Sequence, residues 1–210
     1  MDLQARWLFL ADAIGARGDV AGVFADLDRR HREPGRFYHT WEHVEDCLAE
    51  LDAARGLCDR PLAVELALWF HDAVYDPRAA DNEARSAALI REAAVRLGAD
   101  PELAAASATL VLATAHLAPP GDASAAGSDA AVIRDVDLAI LGSAPGRFAA
   151  YEAAVRREYA FLPEAAWRAG RARVLRTFLE LPWIYLTDAF RDRLERQARV
   201  NLAVSLAHLG

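Results

Sequence analysis

A chain of 210 residues, 54% of them hydrophobic, is long enough to bury about 70% of its unfolded surface as one domain spanning 1–210. All 24 basic residues are arginine, which excludes a lysine Schiff base and a lysine-dependent P-loop. The net charge of −7 argues against a general nucleic-acid binder, yet it leaves room for a small phosphate ester held by a metal and an arginine or two.

Apolar residues recur at three- and four-residue spacing almost everywhere and no stretch alternates in twos, so an all-α fold, a single helical bundle, is predicted. The first helix is expected from about Asp2 to Ala16, with Trp7, Leu8, Leu10, Ala11 and Ile14 inward and Gly15 and Gly18 closing it. Met1-Asp2-Leu3-Gln4 lacks the basic start of a signal peptide, and Arg6 and Asp12 break the apolar run that follows. No stretch approaches membrane-spanning length, so a soluble cytoplasmic protein is expected. A second helix runs to His31, before the break at Glu33-Pro34-Gly35. The third, about Thr40 to Arg55, stacks Val44, Cys47, Leu48 and Leu51 on a buried stripe. The fourth starts near Pro61 and runs through Leu66 and Phe70 into His71-Asp72, stopping before Pro77.

Asp81 or Asn82 caps the fifth helix, whose apolar side is Ala87, Ala88, Ile90, Ala94 and Leu97. A sixth spans about Pro101 to His116, and a surface loop is read from Pro119 to Ser128. Asp129 to Leu141 forms the helix that carries Asp137. Helices at about 145–161, 163–180 and 187–209 complete the chain. Cys47 and Cys58 read as reduced thiols rather than a disulfide.

Chemistry concentrates between Arg36 and Asp76. His39 and His43 lie four residues apart and share a helix face. His71 and Asp72 end the apolar run Leu66-Ala67-Leu68-Trp69-Phe70, where an unpaired charge is costly. A metal ion is the obvious partner for a buried imidazole and carboxylate.

The order of histidine, then His-Asp, then a distant aspartate resembles the HD superfamily of metal-dependent phosphohydrolases. The likeness extends through Tyr38-His39-x-x-x-His43, Phe70-His71-Asp72-x-Val74-Tyr75-Asp76 and Asp81-Asn82-Glu83-x-x-Ser86-Ala87. It continues in Asp135-x-Asp137-Leu138, Val155-Arg156-x-Glu158-Tyr159, Gly170-Arg171 and Glu195-x-x-Ala198-Arg199-x-Asn201-Leu202. The resemblance implies that His43, His71, Asp72 and Asp137 hold one divalent ion per chain, of Mn, Mg, Fe, Co, Ni or Zn. It implies hydrolysis of a small phosphate ester, perhaps a nucleotide, with Asp72 handling the attacking water. An HD-type iron oxygenase and a non-catalytic nucleotide-binding sensor are the alternatives.

Further residues carry two readings each. His39 resembles the general acid of cyclic-nucleotide phosphodiesterases, although Thr40 replaces the usual asparagine; otherwise it is a bystander one turn before a ligand. His116 is a contact for substrate phosphate or a second metal, or else a cation at a helix end. Arg36 is a bidentate phosphate contact or a salt bridge. Glu83 and Asn82 lie near the metal water or cap a helix. Asp135 reads as a cap or surface residue, Asp76 as holding a turn, and Glu158, Arg156, Arg171 and Asn201 as supports between helices. Tyr75 occupies the position where nucleotidase-type members carry glutamate.

Overall fold

The computed structural model describes residues 2–116 and 127–209, and among them all regular structure is helical. The elements are α1 (Leu3–Ala13), α2 (Val20–His31), α3 (Trp41–Ala54), α4 (Pro61–Phe70), α5 (Asn82–Leu97) and α6 (Pro101–Ala113). These are followed by α7 (Gly127–Asp137), α8 (Pro145–Glu158), α9 (Glu164–Glu180), α10 (Asp188–Phe190) and α11 (Arg196–Leu209). A 3-10 turn, Leu138–Gly142, continues α7, and a π-turn, Arg191–Glu195, joins α10 to α11. No helix among the described residues is long and apolar enough to cross a membrane.

The bundle is built around α4. Every residue from Ala63 to Phe70 is buried, as expected of a helix that is apolar on nearly all sides. It packs against α1, α3, α5, α6 and α7. Trp69 wedges between Trp7 and Trp41, with ring centroids 5.3 and 5.6 Å away, which ties α1 and α3 to the central helix. Its one buried charge, Glu65, is paired with Arg6 at 3.0 Å and with Arg55. The N-terminus of α4 is pinned by Asp129, whose carboxylate accepts the backbone N–H groups of Asp59 and Arg60.

The observed elements follow the expected ones, with differences at their ends. Helix α1 stops at Ala13, and Leu8 faces out at 53% exposure, because Trp7, Leu10 and Ala11 already fill the inward stripe. Ala88 likewise faces solvent on α5. Helix α4 ends at Phe70, so His71 and Asp72 sit in the turn beyond it, and α6 ends at Ala113, three residues before His116. The loop expected from Pro119 falls outside the described residues up to 126, and Gly127 and Ser128 open α7 instead of closing that loop. Both cysteines are free.

The turn after Asp137 is held from behind. Asn201 donates to the carbonyls of Leu141 and Ser143, and the Tyr185 hydroxyl donates to Leu138. Gly142 lies against α11's approach so closely that a Cβ there would meet Leu194 Cβ at 2.6 Å.

Candidate metal centre

The start of α3, the turn after α4 and the end of α7 converge on one point. His43 Nε2 lies 3.1 Å from His71 Nε2, 3.0 Å from Asp137 Oδ1 and 3.4 Å from Asp72 Oδ2. His71 Nε2 lies 3.1 Å from Asp72 Oδ2 and 3.5 Å from Asp137 Oδ1. Donors sharing an ion at about 2.1 Å stand roughly 3.0–3.5 Å apart. The chemistry of this donor set therefore fits a divalent cation. Burial disfavours the charged form of all four groups; attraction within the set outweighs it for His71, Asp72 and Asp137, and for His43 the Cys47 and Tyr38 side chains lead, followed by Asp137 and Asp72. Both imidazoles are raised well above their ordinary pKa, and both carboxylates are lowered well below theirs.

The orientation of each donor is set locally. His71 Nδ1 donates to the Leu68 carbonyl at 2.9 Å, which directs Nε2 at the cluster as the nitrogen that would bind an ion. Asp137 presents Oδ1 to His43, while its Oδ2 meets His116 Nε2 at 2.7 Å. His116 thus joins the cluster through Asp137. Asp135, two residues earlier on α7, points elsewhere. It is fully buried and accepts from the Leu186 and Thr187 N–H groups and the Thr187 hydroxyl, so it is neither a surface residue nor a cap of its own helix.

Of the two readings of Arg36, phosphate contact or salt bridge, the structure shows the salt bridge, to Glu33. Arg36 Nε and Nη2 donate to Glu33, Nη1 to the carbonyls of His39 and Asp72, and Nη2 also to Ala73. All five guanidinium N–H groups are engaged. None is left for a phosphate, and the side chain acts as a clamp on the His71–Asp72 turn. Glu83 sits in the first turn of α5, and among the described residues no hydrogen bond or ion pair joins it to the cluster. Asn82 exchanges hydrogen bonds with the backbone of Asp76, and the Asp76 carboxylate accepts from Arg78 N–H, which fixes the same turn.

His39 stands beside the cluster, its ring centroid 6.1 Å from that of His43. Glu158, at the end of α8, governs its pose. Oε1 accepts the backbone N–H groups of Phe37, Tyr38 and His39, and Oε2 takes His39 Nδ1 at 2.7 Å and the Tyr75 hydroxyl at 2.8 Å. Since a carboxylate only accepts, Nδ1 carries the proton and Nε2 is directed away from Glu158. The Tyr75 ring stacks on the imidazole at 4.0 Å. Burial would raise the Glu158 carboxyl, but the bonds from His39 and the backbone bring it down to about 2. Sequence reasoning placed Glu158 among the helix–helix supports; its match within Val155-Arg156-x-Glu158-Tyr159 was the only signal of a site role.

A cavity of about 210 Å³ adjoins the centre, lined by His43 and Asp137 together with Tyr38, Cys47, Ser143 and Arg147. Arg147, paired with Asp46, is half exposed beside it. Cys47, on the buried stripe of α3, places its Sγ 3.7 Å from both ring nitrogens of His43. His43, Cys47, His71 and Asp137 offer ligand atoms all within 4.8 Å of one another.

No protein-family model, curated protein or solved structure matches the chain. Fold and site together define an all-α protein with a His/Cys/His/Asp group, buried except for the part-exposed Asp137, that is able to hold a metal ion and is compatible with an HD-type fold.

Proposed function

We propose that this protein is an HD-type metal-dependent phosphohydrolase acting on a small phosphate ester, with a nucleotide as one candidate class. The observation that carries the reading is the meeting of two imidazoles and two carboxylates at 3.0–3.5 Å, with a third imidazole held beside them by Glu158. His43, His71, Asp72 and Asp137 would hold the ion. When bound, it supplies Lewis-acid polarisation of a phosphoryl oxygen and acidifies a water.

The chain's own residues do the rest. The Asp72 side chain is 21% exposed, so an oxygen can accept a hydrogen bond from the attacking water and orient it. His39, with Nδ1–H committed to Glu158, would carry a second proton on Nε2 and deliver that one to the leaving oxygen. Arg36 being fully engaged, Arg147 beside the cavity is the arginine available to an anionic substrate; its guanidinium can exchange Asp46 for a phosphate. His116 acts through Asp137.

A screen of nucleotides, phosphomonoesters and phosphodiesters with Mn, Mg, Co, Ni and Fe tests the reading. Turnover by the metal-loaded protein that exceeds an Asp72→Ala control is expected; equal rates would sink it. The contact of His116 with Asp137 favours a second reading, an iron oxygenase with a larger donor set. Two irons per chain and oxygen uptake after anaerobic loading would select that reading instead.

A further inference from the structure

We propose that Cys47 is a reserve metal ligand, recruited by thiophilic ions such as Zn²⁺ and Co²⁺ to form a closed set with His43, His71 and Asp137. The inference rests on the metal-centre reading above and adds which ions the centre discriminates. His43 and Cys47 are four residues apart on α3, so both side chains project from one helix face. The sulfur is buried at 1% exposure, among two imidazoles and a carboxylate rather than in a purely apolar setting.

An imidazole nitrogen and a thiolate sulfur on one tetrahedral ion stand about 3.6 Å apart, given bonds of roughly 2.1 and 2.3 Å. Cys47 Sγ is 3.7 Å from His43 Nε2. The equal distance to Nδ1 places the sulfur over the ring, so joining the ion takes a turn about the Cα–Cβ bond. The cavity that Cys47 lines gives room for that turn. On ligation the thiol proton leaves to solvent and the sulfur binds as thiolate.

Two donor sets therefore overlap on His43, His71 and Asp137. With Asp72 as the fourth donor the set is oxygen-rich, which suits Mg²⁺ or Mn²⁺ and leaves positions for water and substrate. With Cys47 the four protein ligands close a tetrahedron, the arrangement of structural rather than catalytic zinc. Thiophilic ions would then occupy the centre and hold it idle.

The test is titration of the reduced protein with Co²⁺ under anaerobic conditions, reading both bound metal and the sulfur-to-cobalt charge-transfer band in the near ultraviolet. The band should appear in wild type and in Cys58→Ser, and be lost in Cys47→Ser and Cys47→Ala. Zn²⁺ affinity should fall at least about 100-fold in both Cys47 variants, more than loss of an outer partner costs, while Mn²⁺ affinity holds. Stoichiometric Co²⁺ without the band in wild type overturns the role of Cys47 and leaves the metal centre standing. No Co²⁺ binding at all overturns the centre itself. The spectra of wild type and Cys58→Ser decide the matter even where a Cys47 variant folds poorly.

Discussion

Replacing Glu158 by Gln keeps the volume and removes one charge. Oε1 still accepts the three N–H groups of residues 37–39, but the new amide NH₂ now faces His39 Nδ1–H and the Tyr75 hydroxyl, donor against donor. A buried carboxyl brought from its ordinary 4.5 to about 2 gives the folded state about 3 kcal/mol, at 1.36 kcal/mol per unit. That stability is present above pH 4.5 and is lost as pH falls from there toward about 2. Urea unfolding should show Glu158→Gln less stable by about 2–3 kcal/mol at neutral pH, with the gap closing through the acid window. Turnover should fall roughly 10²- to 10⁴-fold through misdirection of His39, with bound metal unchanged. A stability change under about 0.5 kcal/mol, within the range of ordinary surface substitutions, would refute the reasoning.

The two arginines should separate cleanly. Arg36→Ala leaves buried carbonyls of His39, Asp72 and Ala73 without donors and should destabilise by about 3 kcal/mol or more; Arg147→Ala should leave the unfolding midpoint near wild type and raise KM for the anionic substrate. Gly142→Ala forces a methyl against Leu194 and the Tyr185 hydroxyl and should cost about 1–3 kcal/mol in denaturant unfolding. His31 is buried, its ring tilted against Trp41 with centroids 4.3 Å apart, and burial pushes it down to about 3. The unfolded imidazole takes up a proton below its ordinary 6.5 while the folded one does not, so stability falls with pH through that window. Wild type should lose about 2 kcal/mol more than His31→Phe between pH 6.5 and about pH 5, and parallel curves would rule this out.

What the sequence made legible was local. The unbroken apolar run ending in His71-Asp72 announced a buried helix with chemistry at its end, whereas the helix face expected to carry both His39 and His43 carries only His43, since α3 begins at Trp41 and His39 lies in the turn before it. Asp135 and Asp137 could be told apart only by resemblance, although two residues on a helix point to nearly opposite sides. One reaches the cluster and the other a loop 51 residues away. The work of Arg36 and Glu158 was not legible, because the bonds that reach the site, from Arg36 to Asp72 and Ala73 and from residues 37–39 and Tyr75 to Glu158, span 36 to 121 residues and involve mostly backbone groups. No periodicity records such a bond. Leu8 was misassigned for a simpler reason: in Trp7-Leu8-Phe9-Leu10 every residue is apolar, and the pattern cannot say which face is inside.

The central claim is that His43, His71, Asp72 and Asp137 hold a metal ion, with His39 beside it but outside the ligand set. Metal content after reconstitution with Mn²⁺ and removal of free ion, in wild type, His71→Ala and His39→Ala, tests this most directly. The account predicts a single ion per chain in wild type and His39→Ala and almost none in His71→Ala, since each ligand is one of only four protein donors. Full metal in His71→Ala, or its loss from His39→Ala with the helices intact by circular dichroism, would contradict it.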